Sequence, residues 1–260
     1  MNQVDRQREF HDRKYAEGSR SHIGSADPVV RYVTNWRIGE AMRRLAHASG
    51  GRLRHDTPIL VLCAGEGGEG SVLCDLGFTD VTVSDISEFG VKAAMQRDSR
   101  LKGLVLDAQQ ADVAAGRFGV VLVQDGLHHL PSPVQGFTEM LRLSTIGAVF
   151  LEPHNALIGR VIGTRWEKNG EAINYVFRWT RGLVEDVASS YLGPGAFRNL
   201  SFSFWHHNPV FARLGQKLGG GAFAVQVIRA IKAMLDLLAG HAGNQFCGLV
   251  LHLHRDGQTS

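Results

Sequence analysis

The sequence predicts an α/β protein with a doubly wound, mostly parallel sheet. Three observations predict it. An apolar run, ILVL from residue 59, enters the glycine-rich stretch CAGEGGEG, and a second apolar run, VTVSD, ends in Asp85. From Pro58 onward short apolar runs alternate with stretches of helical period, the order that gives right-handed βαβ units and a sheet covered on both faces. The glycines and acids then fall at the carboxyl ends of the strands, where open sheets of this kind bind ligands.

The elements follow in order. Residues 4–17 and 29–47 read as helices, parted at Gly24, Asp27 and Pro28 and stopped by Ser49-Gly50-Gly51. They make residues 1–55 an N-terminal helical cover. Strands are expected at 59–63, 81–84, 104–106, 120–124 and 148–151, and helices at 70–75, 87–97 and 133–143, so that residues 56–155 form the core. Beyond Pro153 the pattern loosens into a polar stretch at 154–174, a helix at 180–191 and a strand-like LSFSFW at 200–205. A glycine break at 219–221 leads to an amphipathic helix at 222–240 and a last strand at 246–254. With 260 residues and 44% hydrophobic content, one domain with additions is expected, residues 156–260 supplying a lid, substrate contacts and final strands.

The glycine turn selects the ligand by charge. Gly65, Gly67 and Gly70 satisfy G-x-G-x-x-G, a pattern in which amides at a helix N-terminus hold a pyrophosphate. Glu66 and Glu69 lie inside the same turn, and two carboxylates repel a diphosphate. S-adenosylmethionine carries a sulfonium and an ammonium instead. The charge pattern therefore favours it over NAD, and an NAD-dependent oxidoreductase is the second enzymatic reading.

With these residues in place, the chain resembles the class I S-adenosylmethionine-dependent methyltransferases over residues 57–155. VLCAGEGGEG, VTVSDIS, LVLDAQQ, FGVVLVQDGLHHLPSP and GAVFLEP match that family's five motifs in order. The resemblance implies a Rossmann-like, seven-stranded sheet completed by the last strands, and explains least the C-terminal helical insertion read between them. It implies that Ala64, Gly65, Glu66 and Gly67 border the cofactor in the first turn. It further implies that Asp85 holds the ribose hydroxyls, Ile86 packs on the adenine, Asp107 and Ala108 meet the adenine edge, and Gln124, Asp125 and Leu127 border the methionine end. Two positions depart from the family pattern: Cys63 stands where an acid is usual, and Glu69 where the third glycine is usual. Glu66 is either a replacement for that charge or a helix N-terminal residue favoured by the dipole.

Methyl transfer is an in-line displacement that mainly requires an aligned acceptor. His128 and His129, after the fourth strand, are the candidate bases, and their histidines tilt the expected reaction slightly toward O-methylation over N- or C-methylation. Either ring could equally serve the architecture. Glu152, His154, Trp166 and Tyr175 are candidates for acceptor contact, the aromatic pair serving packing as readily. A non-catalytic S-adenosylmethionine-binding protein is the reading from another class.

Charge and composition set the remaining expectations. The net charge is +3, with 11 Lys or Arg against 6 Asp or Glu in residues 1–54, and no aromatic interleaving accompanies that excess. A small-molecule substrate is expected, not nucleic acid. Cys63, Cys74 and Cys247 show no CxxC spacing, and the N-terminus lacks an apolar secretory core, so a cytoplasmic location is expected. The 222–240 stretch carries Arg229, Lys232 and Asp236, which argues against a transmembrane span. His206, His207, His252 and His254 lack acidic or cysteine partners in sequence, so no metal is expected. The oligomeric state is left open.

Overall fold

The computed structural model of the chain describes residues 3–16, 27–169 and 172–253. Its centre is a sheet of β1 (Ile59–Leu62), β2 (Val81–Asp85), β3 (Lys102–Val105), β4 (Phe118–Gln124) and β5 (Ser144–Pro153). These five run parallel in the spatial order β3-β2-β1-β4-β5. The order reverses between β1 and β4. A crevice opens at their carboxyl ends for that reason.

The chain continues through a small antiparallel hairpin, β6 (Trp166–Asn169) and β7 (Ala172–Tyr175), to β8 (Phe197–Asn199), β9 (Phe202–Phe204) and β10 (Gln245–His252). β10 pairs antiparallel with β5 on one side. On its other side β8 and β9 share it, β8 along Val250 to His252 and β9 along Gln245 to Cys247. The expected single strand at 200–205 is thus two short ones. Between them the Leu200 amide bonds the Leu249 carbonyl and the Ser201 hydroxyl accepts from the Leu249 amide, so a side chain interrupts the ladder. The sheet has seven positions and eight strands.

Helices cover both faces. On one face α1 (Gln3–Ala16), α2 (Pro28–Ala48), α3 (Gly68–Asp75) and α4 (Glu88–Arg97) lie near the first strands. Asp27 caps α2 by accepting from Val29 and Val30, with Pro28 in the first turn. Ile38 and Leu45 of α2 pack with Leu73, Val83 and Leu249. On the other face α5 (Pro133–Leu143) presents Phe137 and Met140 to Phe150 and Trp179. The helix α6 (Leu157–Ile162) follows β5, and α7 (Arg181–Leu192) adds Val184 and Ala188 to this layer.

The C-terminal insertion is α8 (Asn208–Lys217) and α9 (Gly221–Ala239), which pack against α2 through Phe211, Ala224, Ile228, Val29 and Val33. Lys232 of α9 is 1% exposed, with its ammonium 3.4 Å from the Trp36 ring centroid and 2.7 Å from Asp236. Burial lowers its proton affinity, and Asp236 opposes that. The helix is therefore pinned to α2 by a paired buried cation. Its outer side leaves Phe223, Leu237 and Leu238 exposed. Among the described residues no helix is long and apolar enough to cross a membrane.

Candidate active site

Two turns build the crevice. β1 is followed by Cys63 at φ 54° and β4 by Asp125 at φ 51°, left-handed values that non-glycine residues seldom adopt. Both strands beside the switch point therefore turn away sharply at the same level. Gly126 is what lets the turns meet, because a Cβ there would stand 2.6 Å from that of Cys63.

Asp85 at the tip of β2 locks the first turn. It is 7% exposed; one carboxylate oxygen accepts from the Gly65 amide at 2.8 Å and the other from the Ser87 amide at 2.9 Å. Gly65 is left-handed (φ 49°), and the Tyr15 hydroxyl sits where a side chain would project. Helix α1 thereby closes over the turn. His11 stacks on Tyr15 at 5.8 Å, and Gln7 donates to Asn174 of β7 at 2.8 Å.

Below α1 lies a cavity of about 520 Å³. Ala64, Gly65, Glu66, Asp85 and Ile86 line it from the first two strands. Asp107, Ala108, Gln124, Asp125 and His129 line it from the next two. Of the residues read as cofactor contacts, Gly67 and Leu127 are not in the lining. Gly67 is the N-cap of α3 at φ 72°, and Leu127 is buried in the core. Asp107 turns its own carboxylate to the Gln109 amide at 2.8 Å, which shapes the loop that carries Ala108.

Several lining residues were not expected from sequence. Gln7, His11, Thr34, Arg37 and Asn208 all border the cavity. Arg37 and Thr34 could have been found, since they interrupt the otherwise apolar stripe of α2 one turn apart. Arg37 is 4% exposed and pairs with Asp125 at 2.8 Å.

The histidine doublet divides. On the single 3-10 turn Leu127–His129, His129 borders the cavity while His128 does not. The Nδ1 of His128 is 2.6 Å from Glu152, which is 0% exposed and also accepts from the Gly126 and Leu127 amides at 2.8 and 2.7 Å. Its Nε2 is 3.5 Å from Glu167 of β6. Burial disfavours a charged ring there, but the two carboxylates outweigh it and raise His128 to about 10. For His129 burial, then the charge on His128, pulls proton affinity down to about 3.

Glu152 thus sits behind the site, and the other acceptor candidates stand outside the cavity. His154 donates from Nδ1 to the Gly243 carbonyl at 2.8 Å and stacks on Phe246. Trp166 and Tyr175 meet edge to face at 5.2 Å on the hairpin and are exposed. Among the other histidines, His252 lies 2.9 Å from the Ser144 hydroxyl, His206 is buried, and His254 lies outside the described residues.

Acidic side chains recur in the lining, namely Glu66, Glu69, Asp85, Asp107 and Asp125, beside the cations Lys14 and Arg37. Glu66 stands 3.7 Å from Arg97. Glu69 is 6% exposed, and burial raises it to about 8, against the pull of its backbone amide. Cys63 is a neutral thiol, its ionisation suppressed by burial and then by Asp85, so it does not replace an acid.

A nucleoside-binding α/β domain with an acid-lined crevice is the class that fold and cavity define. Residues 60–151 match the family model described as "Methyltransferase domain". Over that stretch the chain carries an S-adenosylmethionine-dependent methyltransferase domain. No curated protein sequence matches it. Among solved structures it is similar to magnesium protoporphyrin IX methyltransferase from Synechocystis PCC 6803, with TM-score 0.58, 13% identity, and 97% of this chain and 98% of that one covered. It is similar also to a putative sarcosine dimethylglycine methyltransferase from Galdieria sulphuraria (TM-score 0.57, 16% identity, 95% and 98% covered). A third is phosphoethanolamine N-methyltransferase 2 from Haemonchus contortus (TM-score 0.55, 14% identity, 95% and 60% covered). These likenesses extend the fold agreement to the cover helices and insertion.

The residues present fit S-adenosylmethionine. Buried polar atoms with no partner among the described residues cluster around the cavity: the Thr34 hydroxyl, Arg37 Nε, both ends of the Gln124 amide and His11 Nδ1. Such atoms need a polar ligand or solvent. A protonated Glu69 facing a cationic ligand gives a measurable linkage. At pH 7, S-adenosylmethionine binding is expected to release about one proton, because a nearby positive charge lowers a carboxyl whose starting value is above the working pH. Calorimetry in buffers of different ionisation enthalpy reads that proton, and Glu69→Gln should abolish it.

Proposed function

We propose that the protein methylates the hydroxyl of a small-molecule acceptor, with S-adenosylmethionine as donor. The observation that carries this reading is the cavity itself. Its volume of about 520 Å³ falls within the ~300–1,000 Å³ of small-molecule sites, and α1 narrows the approach. The donor supplies an electrophilic methyl on a sulfonium, so the protein's task is alignment.

The division of labour follows from position. Asp85 meets the ribose hydroxyls, Ile86 and Ala108 sandwich the adenine, and Gln124 satisfies its free amide atoms on the methionine side. Arg37, the buried cation of the wall, suits the methionine carboxylate, while Glu69 and Asp125 favour its ammonium. His129 stands at the acceptor end and orients the hydroxyl by a hydrogen bond. The neighbours described as acting on a porphyrin, a sarcosine derivative or phosphoethanolamine agree with a small acceptor. The location of the protein is proposed as the cytoplasm, on the unpaired cysteines alone.

A panel of alcohols, phenols, amines and carbon acids, with S-adenosylhomocysteine as the readout, tests the proposal. Turnover is expected on a hydroxyl acceptor and is expected to fall by about 100-fold in His129→Ala, the usual size of a lost proton-transfer or orienting contact. Turnover confined to amines would overturn the oxygen assignment. An unchanged rate in His129→Ala would remove this ring from the mechanism.

A further inference from the structure

His128, His129 and Glu167 gather three ligand atoms within 4.8 Å of one another. The carboxylate stands 3.5 Å from His128 Nε2 and 3.9 Å from His129 Nδ1. Ligands at ~2.0–2.2 Å from one ion are separated by about 2.8–3.6 Å in octahedral or tetrahedral geometry, so the carboxylate needs little movement and the two rings must close from a separation of at most 4.8 Å. Glu167 is free to adjust its own share, because its side chain is 36% exposed on the β6–β7 hairpin.

The surroundings are arranged as they are around metal-bound histidines. His128 presents its Nδ1 to the fully buried Glu152, which fixes the ring and leaves Nε2 toward the other two groups. A histidine ligand characteristically donates its second nitrogen to a carboxylate in this manner. Glu152 is itself fixed by the amides of Gly126 and Leu127. Nothing in the donor's methyl chemistry requires such a relay behind the cavity wall.

We propose that His128 Nε2, His129 Nδ1 and Glu167 Oε2 form a binding site for a divalent first-row transition ion at the edge of the cavity. Two imidazoles and one carboxylate suit zinc, cobalt, iron or manganese better than magnesium or calcium. Three protein ligands leave positions open, the pattern of a catalytic rather than a structural site. An ion held there would acidify an acceptor hydroxyl, whose proton would pass to solvent water; the oxygen would then take the methyl as the donor's S–CH3 bond breaks, leaving S-adenosylhomocysteine. This role rests on the methyltransferase reading, whereas the site does not.

The test uses tag-free, EDTA-treated full-length protein titrated with Co²⁺ and followed by its visible ligand-field bands, with Zn²⁺ as competitor. One equivalent is expected to bind with a dissociation constant below about 10 µM. Glu167→Gln and His129→Ala are each expected to weaken it by at least about 10-fold, and Glu152→Gln by about 10- to 100-fold through the His128 ring. His241→Ala, on the exposed turn after α9, should leave it unchanged. Circular dichroism of each variant separates lost ligands from lost fold. No stoichiometric binding, or binding indifferent to Glu167→Gln and His129→Ala, overturns the proposal. S-adenosylhomocysteine formation by the metal-free protein, scored separately, distinguishes failure of the ion site from failure of the methyltransferase reading.

Discussion

Glu152→Ala is expected to lower unfolding stability by about 3–5 kcal/mol, the range found when one partner of a buried ion pair is deleted. The residue is 0% exposed and answers three donors at once: the Gly126 amide, the Leu127 amide and the His128 ring. Removing it strands all three in a water-poor interior. Glu152→Gln keeps an oxygen for the two amides but turns an amino group toward the His128 nitrogen, so a smaller loss of about 1–3 kcal/mol is expected. Urea unfolding measures both. Equal stability in Glu152→Ala and the parent would show that the turn after β4 is held by something else. The same variants should lose most turnover, since that turn carries Asp125 and His129.

Asp85→Ala should weaken S-adenosylmethionine binding by about 100-fold, corresponding to loss of hydrogen bonds to a charged group worth roughly 1.5–3 kcal/mol. The carboxylate has two duties. It fixes the Gly65 and Ser87 amides, and its remaining lone pairs face the cavity. Asp85→Asn separates them: one carbonyl can satisfy only one amide, so an intermediate loss is expected from the loosened turn. Calorimetric titration reads the affinities. An Asp85→Ala protein that binds as tightly as the parent would place the ribose elsewhere.

What could be read in the sequence follows what is local. The turn after Ile59–Leu62, the acid at Asp85 and the alternation up to Pro153 depend on short-range pattern and parallel-sheet burial. Of the residues read from them as cofactor contacts, all but Gly67 and Leu127 border the cavity. By contrast, α6 and the β6–β7 hairpin lie where apolar period is weak, and their contacts are made far along the chain. Gln7 meets Asn174, and Glu167 meets the doublet at His128. No local spacing encodes such encounters. Glu152 shows the limit from the other side: its place at the end of β5 was legible, but an acid in a strand end does not reveal that it faces inward to three donors.

The shared neighbour of β8 and β9 decides how this molecule can meet others. Each of the two strands has only three residues, and the Ser201 hydroxyl breaks the run between them. At the opposite border β3 has four residues and begins with an exposed lysine, Lys102. Neither border offers a passing polypeptide a continuous row of free amides and carbonyls. Short strands and a charged edge residue thus disfavour growth of the sheet from copy to copy at both margins of the described residues.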